Sequence, residues 1–373
     1  MLLENLSPRS TVMSPELGRS LTFDREGRLL IYFRDGETFK RSLGSEVHLR
    51  FRRGSRQRRQ LGIDEGLEIL DEAYAVAREA RPGASHQLQR RLDEEILRWS
   101  GAALEAERRR FAAVYKPISI LPPDQYLAVV LQATEGCTWN ACTFCSFYMN
   151  RPFSVKEPEE FERHVAGVKD LLGKGLLLRR GIFLADGNAL ALSNRRLMPL
   201  LEIASRELPD RRLYGFIDLY SGERRRPEDW RELAERGLDR VYIGMETGLD
   251  ELLALVNKPG KAAELEAFVA TLKTAGLSVC LIVMVGLGGS QYREDHARAT
   301  LKALKAMPLS SEDLVYLSPF VEQSGSVYQR QRVEKRLDPM DETEIESELE
   351  RLAVKIRARG LKVSRYDIRE FIY

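Results

Sequence analysis

Three of the four cysteines in this 373-residue chain fall within nine residues: Cys137, Cys142 and Cys145. Four residues separate the first pair and two the second. Three thiolates on one short loop suit a soft metal, iron or zinc. A cubane iron–sulfur cluster is usually held by four cysteine thiolates, so three local ligands leave one iron open to another group. The same residues also fit a structural zinc loop, or free thiols buried as small hydrophobes, although three this close rarely arise from packing alone. Cys280 lies inside an apolar run, as a packing thiol or a fourth ligand. The histidines, His48, His86, His164 and His296, show no metal-ligand spacing with one another.

The elements that must position the cysteines come from the chain after Pro122-Pro123. An apolar run over 126–131 leads into the cysteine loop, and further strand-like runs follow at 181–185, 213–217, 241–244, 277–285 and 314–317. Between them the spacing predicts helices over 158–172, 195–208, 227–237, from 250 and 262 onward, and over 295–307. A last helix follows at 341–359, with a short strand at 361–364. Six β/α units in a row argue for a parallel α/β barrel or open sheet. In such barrels the active site is built from the loops after the strands. Those ends carry the cysteines, Asp186-Gly187-Asn188, Glu246-Thr247-Gly248, Gly286-Leu287-Gly288-Gly289 and Ser318-Pro319. Asp-Gly-Asn is also good turn chemistry, Glu246 also fits an ordinary exposed carboxylate, and the glycines from Gly286 do not follow a dinucleotide-binding pattern.

On these residues the chain resembles the radical SAM enzymes, whose signature is three cysteines after the first barrel strand with an aromatic before the last. Cys142-Thr143-Phe144-Cys145 matches it, while the first gap is one residue longer than in most members. Gly244-Met245-Glu246-Thr247-Gly248, with Lys258-Pro259 beyond it, is similar to the coproporphyrinogen-oxidase-like and methylthiotransferase-like branches. The resemblance implies an α/β fold: a partial six-stranded parallel (β/α)6 TIM-like barrel. It implies a [4Fe–4S] cluster on Cys137, Cys142 and Cys145, with S-adenosylmethionine (SAM) on the fourth iron. Phe144, Asp186, Gly187, Asn188, Glu246 and Gly286 then become SAM-binding residues. Asp186-Gly187-Asn188 stands where the family has Gly-Gly-Glu, which leaves open whether side chain or backbone binds. A reduced flavodoxin-like or ferredoxin-like donor would supply an electron, and a 5′-deoxyadenosyl radical would take hydrogen from an unidentified substrate.

The chain is expected to divide into a small α+β accessory region at 1–123, a core at 124–325 and a C-terminal helical extension at 326–373. Residues 20–51 read as an antiparallel meander with a hairpin turn at Asp35-Gly36, and 64–113 read as helices. Arg50, Arg52, Arg53, Arg56, Arg58 and Arg59 form a basic run, read as a solvated loop or as a phosphate-contacting patch. The patch keeps a second reading alive, a zinc- or Fe–S-bearing RNA-binding module. A net charge of +2 gives no global argument for nucleic acid or membrane. No apolar run approaches the ~18–20 residues that span a bilayer. The first residues lack the apolar centre of a signal peptide, and the cysteines do not make a disulfide framework. The expected compartment is the reducing cytoplasm.

Overall fold

The structure, a computed structural model, describes residues 2–53 and 55–373. The chain forms two compact units, one of residues 1–118, 164–180 and 372–373, the other of 119–163 and 181–371. These units cut across the divisions expected from sequence. Residues 164–180 belong with the first unit, and 326–371 with the second.

The first unit is a seven-stranded antiparallel meander: β1 (Leu3–Leu6), β2 (Ser10–Glu16), β3 (Arg19–Asp24), β4 (Leu29–Arg34), β5 (Glu37–Arg41), β6 (Val47–Arg53) and β7 (Ser55–Gln60). It is longer at both ends than the sequence suggests, and the arginine run lies on β6 and β7, not on a loop. The β4–β5 hairpin turns at Asp35 and Gly36, both at positive φ (47° and 87°), the conformation a two-residue hairpin needs. Period-two alternation turns Leu21, Phe23, Tyr32, Phe39 and Leu49 inward. They pack against α1 (Ile63–Ala80) through Leu70, Ala73 and Tyr74. Two more helices follow, α2 (His86–Arg91) and α3 (Gly101–Val114). Arg28 is buried, yet its guanidinium bonds Glu107 at 2.6 and 2.7 Å and the carbonyls of Leu171 and Leu172. Full pairing is what makes a buried charge tolerable.

In the second unit β8 (Val129–Gln132) runs into a small antiparallel ribbon, β9 (Thr134–Glu135) and β10 (Ser154–Val155). The ribbon closes the base of the loop that holds all three clustered cysteines. The chain continues through α4 (Pro158–Leu172), β11 (Ile182–Ala185), α5 (Asn194–Glu207), β12 (Leu213–Ile217), α6 (Leu219–Gly222), α7 (Pro227–Glu235) and β13 (Leu238–Glu246). Then come α8 (Asp250–Leu255), α9 (Ala262–Thr274), β14 (Ser278–Val285), α10 (Arg293–Ala306), β15 (Leu314–Pro319), α11 (Val327–Glu334), α12 (Glu342–Arg357) and β16 (Lys362–Arg365). The strands form one parallel sheet in the order β8-β11-β12-β13-β14-β15-β16. The sheet therefore has seven strands where six are expected, because the chain after α12 adds β16 beside β15. Phe183, Phe216 and Tyr242 pack together within the sheet, with ring centroids 5.1–6.0 Å apart. Since the strands are parallel, their C-terminal ends share one edge, and the candidate site lies there. Among the described residues no helix is long and apolar enough to cross a membrane.

Candidate active site

One cavity opens among the C-terminal ends of these strands. Its lining includes Cys137, Cys142 and Cys145, with Phe144, Gly187, Asn188 and Glu246 from the sequence-based set. Asp186 and Gly286 are not part of it. It adds Asp218, Lys258, Ser318, Tyr148 and Tyr366.

All three cysteines are free and partly exposed. Burial pushes the Cys142 thiol up to about 12 and raises that of Cys145, and the charges of the neighbouring thiols add to both shifts. A metal bound here must displace thiol protons. Among the described residues no three His, Cys, Asp or Glu side chains stand in a ready-made metal-ligand arrangement. The donor set nevertheless fits a cluster with three protein ligands. It consists of three thiols on one loop and one cavity, while Cys280 is fully buried in β14 and does not line that cavity.

The cysteine loop is tied down from β11. Asp186 donates its backbone N–H to the Thr134 carbonyl at 2.9 Å, and the Thr134 hydroxyl donates to the Asp186 carbonyl at 2.7 Å. Beyond the last cysteine, the Tyr148 hydroxyl donates to Asp186 Oδ1 at 3.0 Å and Arg151 Nη1 to Oδ2 at 2.7 Å. Asp186 is only 2% exposed. Burial raises its pKa, opposed by Arg151 and Tyr148. The peptide bond before it is cis. Its neighbour Gly187 sits at φ 55°, and a Cβ there would fall 1.9 Å from the Gly136 carbonyl oxygen. Only glycine lets the two loops approach this closely.

Glu246 ends β13 where the register with β14 shifts between Gly244 and Glu246. Its φ is 57°, a left-handed conformation that costs a glutamate on the order of 1–3 kcal/mol. Lys258 Nζ meets its carboxylate at 2.9 Å. Burial works against the Lys258 ammonium, but Glu246 and Cys142 outweigh it, and the net shift is upward. A Cβ on Gly244 would come 2.2 Å from Glu246 Oε1, so a larger residue there would make the pair shift. Behind it, buried His296 bonds the Thr247 hydroxyl at 2.7 Å through Nδ1. Burial lowers the His296 pKa to about 4. Asp218 follows β12, accepts the Ser221 N–H at 2.7 Å and bonds the Asn188 amide. Sequence reasoning passed over Asp218, although the strand-end rule that selects Asp186 and Glu246 selects it equally. Lys258 carried no assigned role, because nothing local shows that it reaches back twelve positions to Glu246.

The model of the radical SAM superfamily matches residues 131–300, from the end of β8 into α10. That segment of the chain is similar to a radical SAM domain. Domains of this superfamily use a [4Fe–4S] cluster and SAM. Glu246, Asp218 and Asn188 offer acceptors and Lys258 a cation, which suits a ligand bearing hydroxyls, an ammonium and a carboxylate. Solved structures similar to the chain include the cobalamin-dependent radical SAM enzyme OxsB (18% identity, TM-score 0.39, covering 56% of this chain and 30% of OxsB). Another is the coproporphyrinogen III oxidase HemN from Escherichia coli (14% identity, TM-score 0.46, covering 63% and 55%). A third is the methylornithine synthase PylB (17% identity, TM-score 0.45, covering 79% and 76%). The chain thus spans less than a third of OxsB and about half of HemN. No curated protein matches it in sequence.

Proposed function

We propose that the chain is a radical SAM enzyme in which Cys137, Cys142 and Cys145 hold a [4Fe–4S] cluster. The supporting observation is that the three thiols share one cavity with Asn188, Asp218, Glu246 and Lys258, at the edge where the parallel strands end. When bound, the reduced cluster supplies the electron that cleaves SAM, and hydrogen is abstracted from a substrate. The chain's own residues bind and orient. Glu246 and Asn188, with the Gly187 backbone, accept hydrogen bonds from SAM, Lys258 balances a carboxylate, and Phe144 packs beside the last cysteine. Asp186 acts from behind, fixing the loop through Tyr148 and Arg151. The parallel sheet serves as the partial barrel of this family, and the N-terminal region to about residue 123 serves as an accessory part that shapes substrate access. A reduced flavodoxin-like or ferredoxin-like protein is the electron donor.

Anaerobic reconstitution tests this reading. The protein should turn brown and take up about four irons per chain, and once reduced it should form 5′-deoxyadenosine from SAM. Replacing Cys137, Cys142 or Cys145 by Ala should remove most of the iron, whereas Cys280→Ala should keep it. A protein that binds only zinc would sink the proposal.

A further inference from the structure

We propose that the second unit carries a further binding site, for a small phosphorylated molecule that also bears hydroxyls, in a cavity beside the cysteine cavity and separate from it. Its lining includes Thr138, Ser193, Tyr220, Arg224, Arg225 and Asp229. It has no lining residue in common with the cavity of the cysteines, so the inference goes beyond the reading of that cavity. The two are neighbours: Thr138 directly follows Cys137, and its hydroxyl donates to Asp218 Oδ2 at 3.2 Å.

Two arginines carry the argument. Arg225 is half-buried and held by neutral oxygens: its guanidinium donates to the Leu190 carbonyl at 2.8 Å, to the Leu192 carbonyl and to the Asn194 side-chain oxygen. Among the described residues no carboxylate is in ion-pair contact with it. Burial brings its pKa down to about 10, although the charge of Asp229 works the other way. A buried cation without a counter-ion gains from an anion. Arg224, exposed beside it, stands over the Tyr220 ring with Cζ 3.8 Å from the centroid. It too pairs with no carboxylate among the described residues. Asp229, the one acid in the lining, is balanced by Arg226 at 3.0 Å. Two guanidiniums therefore remain at one cavity, and their forked donors match phosphate oxygens.

The amino end of α5 meets the same cavity through Ser193 and Asn194. Ser193 is its N-cap residue, yet its hydroxyl makes no capping bond, and the positive end of a helix favours an anion. Asn194 Nδ2 donates to the Asp229 carbonyl at 2.9 Å and to Glu232 at 2.7 Å, which fixes α5 against α7. The cavity measures about 410 Å³, within the ~300–1,000 Å³ of small-molecule sites. The hydroxyls of Thr138, Ser193 and Tyr220 and the Asp229 carboxylate suit hydroxyls on the same ligand.

Calorimetric titration of the full chain with glucose 6-phosphate, glucose and inorganic phosphate tests the site. The ester should bind at least about tenfold more tightly than either of its parts, one charge-assisted contact being worth roughly ten- to a hundredfold. Arg224→Gln should weaken the ester by that factor. Arg231→Gln removes the same charge from the exposed side of α7, outside the cavity, and should leave binding unchanged. Failure of the ester to bind the wild type overturns the proposal. So does equal weakening in the two variants, which would be attraction by charge alone, or equal affinity for glucose or for inorganic phosphate. The titration is repeated on iron-reconstituted protein saturated with SAM, where the ester should still bind. Displacement by SAM would place the arginines in the SAM site and end the case for a second site, while leaving the cluster assignment standing.

Discussion

Glu246 and Lys258 form a nearly buried ion pair, with side chains 8% and 13% exposed. Removing one partner of such a pair costs about 3–5 kcal/mol, because the other charge is left uncompensated. Glu246→Ala should therefore lose stability as well as ligand. Glu246→Gln keeps the shape and isolates the charge. We expect it to retain its iron but bind SAM roughly ten- to a hundredfold more weakly, the worth of a charge-assisted hydrogen bond. Calorimetry on the reconstituted variant reads this directly, and wild-type affinity would reduce Glu246 to a counter-ion for Lys258. Asp186 should behave differently. Its carboxylate meets Arg151 at 2.7 Å and the Tyr148 hydroxyl at 3.0 Å. Asp186→Ala should lower unfolding stability by about 3 kcal/mol and lower iron retention with it. Full stability combined with weakened SAM binding would instead make Asp186 a ligand.

At the level of elements, the end of β13 is held from behind by α10, whose His296 bonds the Thr247 hydroxyl. Burial moves the imidazole from its ordinary 6.5 to about 4, with Glu348 opposing the shift. Between those values the unfolded chain binds the proton and the native protein does not. The stability contribution is therefore complete above pH 6.5 and is lost as pH falls toward 4. Denaturant unfolding at pH 7 and pH 4.5 should show the wild type losing roughly 2–3 kcal/mol more than His296→Gln. Equal losses would mean that His296 is solvated or already charged. The strand end it supports also carries Glu246, so the site should loosen over the same pH range.

For the whole molecule, the decisive fact is that residues 164–180 belong to the first unit although they lie inside the radical SAM segment of the chain. Arg28 bonds the carbonyls of Leu171 and Leu172, and Glu26 accepts the Lys174 N–H at 2.7 Å. A protein truncated to begin at Ser119 loses Arg28 and Glu26 and leaves those groups unpaired, at roughly 1–3 kcal/mol for each that stays buried. It should be poorly soluble, or should bind a hydrophobic dye and unfold without a sharp transition. A soluble truncated protein with cooperative unfolding would show that the first unit is dispensable for folding, and its role would then be confined to substrate access.

What the sequence determined alone is what depends on near neighbours in the chain. The spacing of Cys137, Cys142 and Cys145, the alternation of strand and helix, and the turn at Asp35-Gly36 are all local, written in periodicity and φ preference. Tertiary structure decided what depends on partners far along the chain. The sequence expects a short strand at 361–364, but its burial pattern is that of an exposed edge, and only its pairing with β15 makes β16 the seventh strand of the sheet. Lys258 becomes part of the site because the chain folds back on Glu246. Asp186 faces Tyr148 and Arg151 because the loop between β9 and β10 returns past β11. Such placements are fixed by register and packing between distant segments, and no window of sequence contains both partners.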